Sequence, residues 1–124
     1  MAASNRVSDP KLLVALASVQ IKTDQKRTIE TLYRALSLYT DSDDIDVSIF
    51  YSLASMGMDI ENYRFAYVWY GVAEAFDERL NDTQRVQLGQ RYALPVGILD
   101  NIVDEIVSNL NSATFNADSL KLDK

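Results

Sequence analysis

The chain has 124 residues, 18 acids against 12 bases, a net charge of −6, and neither cysteine nor histidine. That length fits one domain able to bury a core without staples. The two missing residue types exclude disulfides, thiolate metal sites, His-ligated zinc, and Ser-His-Asp or Cys-His catalysis. The acidic balance argues against nucleic acid and anionic lipid as partners, since both need a basic surface. The opening "MAASNRVSDPKLL" lacks a basic segment followed by a long apolar run, so no secretory signal is expected. No stretch approaches the roughly 20 apolar residues of a membrane span. The expectation is a soluble, cytoplasmic protein.

Prolines are sparse, at Pro10 and Pro95, and no "NG" or "DG" hairpin signal occurs. Apolar residues recur at three and four, so long helices are expected. Asp9-Pro10 opens the first, with Asp9 as cap and Pro10 at the first helical position. Its stripe is Leu12, Leu13, Leu16 and Ala17, ending near Ile21. Thr23 or Asp24 starts a second helix, with Ile29, Leu32, Tyr33, Leu36 and Tyr39 inward. "TDSDD", Thr40 to Asp44, is a turn rich in capping oxygens. A third helix is predicted from Asp44 to Met56, with Gly57 as its left-handed stop. A fourth runs from Ile60 to Arg79, and Asn81 or Asp82 caps a fifth ending near Tyr92. Pro95 precedes a sixth, striped by Ile98, Leu99, Ile102, Val103, Ile106 and Leu110. The organisation expected is a tail over 1–8, one helical domain over 9–110, and a frayed tail over 111–124.

The fourth helix carries two apolar stripes. Phe65, Val68, Trp69, Val72 and Phe76 form one, and Tyr63, Ala66, Tyr67, Tyr70 and Ala73 the other. Two stripes call for two packing partners. "TLYRALSLYTD" also lies over "VWYGVAEAFDE" at an offset of about 37 residues, near a helix-pair repeat length. The fold class expected is all-α, with about six helices in antiparallel hairpins, either a short α-solenoid or a compact bundle.

The segment "YSLASMGMDIENYRFAYVWYGVAEAFD", Tyr51 to Asp77, resembles a Sel1-like repeat, a relative of the tetratricopeptide repeat. Gly57 stands at its turn, and Tyr63, Ala66, Trp69, Tyr70 and Ala73 fall on its second-helix signature. "LNDTQRVQLGQRYALPVGILDNIVDEI" resembles the hairpin that closes such arrays. The resemblance implies a protein-binding scaffold rather than an enzyme.

Candidate contacts for a partner protein or peptide are Tyr33, Tyr67, Arg64, Arg85 and Arg91, as a tyrosine and arginine surface. The acidic turn Asp41, Asp43 and Asp44 is a second candidate surface. "DSDDID" lacks the glycine and the bidentate Glu of a calcium loop, so it is read as a solvated cap. The pairs Glu74 with Glu78 and Asp100 with Asp104 are read as solubility faces. No cofactor and no metal are expected. The leading function is a non-enzymatic interaction module or adaptor. The alternative is an immunity or antitoxin-like inhibitor, or a secretion chaperone, of a basic toxin or effector. A homodimer is expected if Val72 or Phe65 stays exposed.

Overall fold

The computed structural model describes residues 10–20, 23–77 and 83–115. Its elements are α1 (Pro10–Gln20), α2 (Gln25–Leu38), a 3-10 turn (Ser42–Asp44), α3 (Ser48–Asp59), α4 (Tyr63–Phe76), α5 (Thr83–Arg91) and α6 (Val96–Asn111). No strand occurs among the described residues, and the fold is all-α. The proposed caps Asp9, Asn81 and Asp82 lie outside them. The described residues fall into two units, 10–46 with 109–115 and 47–108.

In the first unit α1 packs along α2. Asp24 caps α2, its carboxylate accepting from the Arg27 amide at 3.1 Å. The Thr28 hydroxyl donates to the Asp24 carbonyl at 2.8 Å, which satisfies a buried polar side chain. Leu13 and Ala17 of α1 are buried, as are Leu32, Ala35 and Leu36 of α2. Leu12 and Leu16, predicted to point inward, are exposed, as is Val19. They form a second stripe, one residue round the helix from Leu13 and Ala17, which the core does not cover. Phe115, in the segment predicted to fray, is buried, and its ring meets the Tyr33 ring edge-on at 6.1 Å.

The second unit is built on the α3–α4 hairpin. The start of α3 meets the end of α4: the Tyr51 hydroxyl donates to the buried Asp77 carboxylate at 2.7 Å. The end of α3 meets the start of α4 at Gly57. A Cβ there would stand 2.9 Å from both the Ala66 nitrogen and Phe65 Cδ1. The two helices are therefore antiparallel, and at Gly57 their backbones approach closely. Phe50 stacks between Trp69, at 6.0 Å and 9°, and Phe76, at 5.4 Å and 27°. Phe65, Val68, Trp69 and Val72 are all buried, so the open Val72 or Phe65 on which a homodimer was expected is not present.

Three predicted boundaries shift for physical reasons. Asp44 does not open α3. It lies in the 3-10 turn, where the Asp41 carboxylate takes the Asp43 amide at 2.9 Å and Asp41 carbonyl takes the Asp44 amide at 3.0 Å. Gly57 does not stop α3 either, because it lies inside the helix and has no positive φ. The left-handed residue is Glu61, at φ 59°. The Asn62 amide reaches the Gly57 carbonyl at 2.8 Å and the Glu61 amide reaches the Met58 carbonyl at 3.1 Å, a Schellman ending. Asn62 then caps α4 through the Phe65 amide, so that helix starts at Tyr63 rather than Ile60.

The same ending closes α5 and α6. Ala93, at φ 51°, and Ala113, at φ 58°, take the left-handed position, with Leu94→Gly89 and Thr114→Asn109 amide-to-carbonyl bonds of 3.0 and 2.8 Å. A residue with a Cβ pays about 1–2 kcal/mol there. Glycine regains that, less about 0.5–1 kcal/mol of extra chain entropy. Each of Glu61→Gly, Ala93→Gly and Ala113→Gly is expected to stabilise the protein by about 0.5–1 kcal/mol. Calorimetric melting temperatures check this; a fall at all three positions would refute the assignment of strain.

Candidate functional site

Arg85 gathers three helices of the second unit. Its Nε donates to both Glu74 oxygens on α4, at 3.0 and 3.1 Å. Its Nη1 donates to the Tyr67 hydroxyl at 2.8 Å and to Asp100 Oδ1 on α6 at 3.0 Å. Tyr67 in turn donates to the same Asp100 oxygen at 2.7 Å. The guanidinium carbon also stands 5.2 Å from the centre of the Tyr67 ring.

The sequence places this network through helical spacing. Tyr67, Gly71 and Glu74 stand at i, i+4 and i+7, on one face of α4. Gly71 makes the seat: a Cβ there would lie 2.7 Å from Val103 Cγ2 and 3.4 Å from Arg85 Cδ. The Tyr67, Gly71 and Glu74 face of α4 is thus covered by α5 and α6, which explains a helix buried on nearly every face. Glu74 and Asp100 are corrected accordingly. They are partners of Arg85, not solubility residues, although the Asp100 side chain stays half exposed. Arg85 is likewise not open to a partner carboxylate through these atoms, because its own chain supplies two.

Burial raises the Tyr67 pKa, and its hydrogen bond to Asp100 adds to that against the opposing charge of Arg85. For Arg85, burial disfavours the charge, but the bond to Glu74 and the charges around it outweigh burial and raise its pKa.

Two grooves flank α5. One, of about 450 Å³, is lined by Arg85, Val86, Gly89 and Gln90, with Tyr67, Leu94, Val96 and Asp100 opposite. The other, of about 270 Å³, is lined by Gln87, Leu88, Arg91 and Tyr92, with Met58 and Tyr70. The two sets from α5 and its end are offset by two residues, about 200° round a helix, so they face opposite ways. In the second groove the exposed Arg91 guanidinium lies 5.6 Å from the Tyr92 ring centre. Tyr92 stacks on Tyr63 at 3.7 Å and 7°. The hydrogen bond to Tyr92 raises the Tyr63 pKa, and burial raises that of Tyr70.

These three raised tyrosines give a pH expectation. The folded state holds their protons more tightly than the unfolded chain does. The unfolded tyrosines ionise first, near pH 10. The stability they contribute is therefore complete below about pH 10 and falls as pH rises past it. Tyr67→Phe is expected to make that alkaline decline shallower. Urea midpoints against pH, with tyrosinate absorbance, test it; ionisation of these tyrosines below the ordinary value would refute it.

The structure brings Tyr67 and Arg85 together and sets Arg91 in the neighbouring groove. Arg64 is exposed in the first turn of α4. Tyr33 is half buried in the first unit, where Asp41 caps the 3-10 turn and Asp43 and Asp44 are exposed. Glu74, Asp100, Tyr63 and Tyr92 were not singled out as contacts. Only the i, i+7 spacing of Tyr67 and Glu74 was a usable signal.

Residues 1–70 match the family model described as "Protein of unknown function (DUF2989)", which is more than half of the chain. The chain belongs to the DUF2989 family. No curated protein and no solved structure matches it. The DUF2989 match takes in α1, α2, α3 and the first part of α4, ending at Tyr70. Arg85, Arg91 and Asp100 lie beyond it. No DUF2989 helix among the described residues is long and apolar enough to cross a membrane.

Proposed function

We propose that the protein is a non-enzymatic interaction module of Sel1/tetratricopeptide-like type, and that the groove of Tyr70, Arg91 and Tyr92 receives a carboxylate-bearing segment of a partner protein. The observation that carries this is the lining itself. Met58, Tyr70, Arg91 and Tyr92 converge on one concavity, and aromatic residues, Met and Arg are the side chains enriched where binding energy concentrates. The exposed Arg91 guanidinium, held over an aromatic ring, offers a fork to a carboxylate. The α3–α4 hairpin that resembles a Sel1-like repeat supports the same reading.

Affinity purification from the native host, comparing the wild type with Arg91→Glu and with Tyr70→Ala, tests it. A stoichiometric partner retained by the wild type and lost by both variants supports the proposal. Equal recovery by all three, or no partner at all, rejects it.

The exposed Asp43 and Asp44 favour a second reading, an inhibitor or chaperone of a basic toxin or effector. Its association would be steered by charge, with an on-rate falling as salt rises. An on-rate indifferent to ionic strength rejects this version.

A further inference from the structure

We infer that the open side of α1 is the seam of a two-fold homodimer, in which α1 lies antiparallel against α1 of a second copy of this chain. The surface belongs to the first unit and does not depend on the groove of Arg91.

Helical spacing lays the seam down. Leu12, Ala15, Leu16 and Val19 stand at i, i+3, i+4 and i+7, the spacing by which two helices pack along a line. Leu13 and Ala17 already hold α1 against α2, yet Leu12 is 59%, Leu16 45% and Val19 71% exposed. Ala15 is exposed beside them. Single exposed apolar residues are ordinary, but four on one helix face form a contiguous patch, which marks a contact surface.

Charge chooses the occupant. The chain carries −6, so two copies repel wherever their acids meet. None of the 18 acidic residues lies between Pro10 and Gln20, so α1 meets α1 free of that repulsion. Lys11 is the one charged residue of the helix. A parallel pair would set the two Lys11 side by side. The antiparallel pair instead sets each Lys11 at the end of the partner's α1. That end has no basic residue of its own, and its last carbonyls carry partial negative charge. The same order puts Leu12 across from the partner subunit's Val19 at both ends of the seam and brings the two Leu16 together at its centre. The face therefore complements itself, as a two-fold contact requires. Area sets the strength. Three part-exposed large side chains and an alanine from each copy fall short of the roughly 1,200–2,000 Å² of a stable interface, so the dimer is reversible.

Sedimentation equilibrium of the full chain, over a range of concentration and salt, tests this. The expected result is a monomer–dimer equilibrium that shifts toward dimer as salt rises, because salt screens the repulsion between two acidic chains. Val19→Lys is expected to weaken association about tenfold or more, since two-fold symmetry removes the contact twice. Its added charge moves the chain toward neutral, so the loss cannot come from greater repulsion between whole chains. Ile98→Lys makes the same change at an exposed residue of the second unit and is expected to leave association unchanged. Cross-linking reads the geometry without relying on either variant, because the chain has no cysteine of its own. Ala15→Cys, next to the two-fold axis, is expected to oxidise to a disulfide dimer. Lys11→Cys is not, because antiparallel pairing separates the two sites by about 13 Å along the helices, beyond the roughly 7 Å a disulfide spans. A chain that stays monomeric at millimolar concentration, which leaves the face to a different protein, would overturn the inference. So would equal weakening by Val19→Lys and Ile98→Lys, or cross-linking through Lys11→Cys as readily as through Ala15→Cys. The partner-capture experiment addresses Tyr70 and Arg91, so either result can fail while the other stands.

Discussion

Replacing Phe50 with alanine is expected to cost about 3–5 kcal/mol, the range for emptying a fully buried aromatic site. Phe50 has no exposed surface, and its ring stacks on Trp69 and on Phe76. Its loss removes apolar burial and both ring contacts, and the void lies between two helices pinned at Gly57 and at Tyr51–Asp77. Such pinning limits collapse, which favours the upper part of the range. Against a typical total of about 5–15 kcal/mol, this leaves the protein marginal. Trp69 is the only tryptophan, so its fluorescence in a urea titration reads this cluster directly. Phe50→Leu, which refills most of the space, is expected to cost clearly less. Equal unfolding midpoints for wild type and Phe50→Ala would show that the stack is not a stabilising element.

Arg85→Met is expected to cost about 2–3 kcal/mol. Removing one member of a fully buried ion pair costs about 3–5 kcal/mol, because the other charge stays behind. Here the figure is discounted, since the Asp100 side chain is half exposed and water can reach it. Glu74 is the group most harmed, because it keeps its charge with little solvent. The double variant Glu74→Gln with Arg85→Met is therefore expected to recover part of the loss, and a double-mutant cycle measures that coupling. Arg85→Lys is not expected to restore the wild type: one ammonium cannot hold Glu74 through one nitrogen and Asp100 through another. Strict additivity in the cycle would refute the network as an energetic unit.

How much of this could be read from the chain follows from where each determinant lies. The start of α2 was legible to within one residue, at Thr23 or Asp24, because a cap acts within three residues, and Asp24 proves to be the cap. The two stripes of α4 were legible because helical spacing alone displays them. Gly57 misled because glycine serves both turns and close approaches, and only the position of Ala66 and Phe65 decides between them. The left-handed residues Glu61 and Ala93 were missed because nothing in their chemistry favours that conformation. Phe115 was missed because one aromatic beyond a helix has no periodicity to announce it. Tyr67 and Arg85 were named separately, but their meeting with Glu74 and Asp100 depends on how α4, α5 and α6 pack. Charges on three helices look like surface charges until that packing is known.

The tight α3–α4 hairpin also sets an order of events. Its contacts, from Phe50 with Trp69 to Tyr51 with Asp77, close loops of at most 26 residues. The Tyr67–Asp100 bond spans 33 and needs two more helices in place. Loop-closure entropy differs little between those lengths, so helix count rather than distance decides the sequence. The hairpin contacts around Trp69 are therefore expected to form first, while the arginine network waits for α5 and α6. Pulsed hydrogen exchange during refolding is expected to protect α3 and α4 amides first and those of α5 last. Simultaneous protection of all four helices would mean that the hairpin has no independent existence on the folding path.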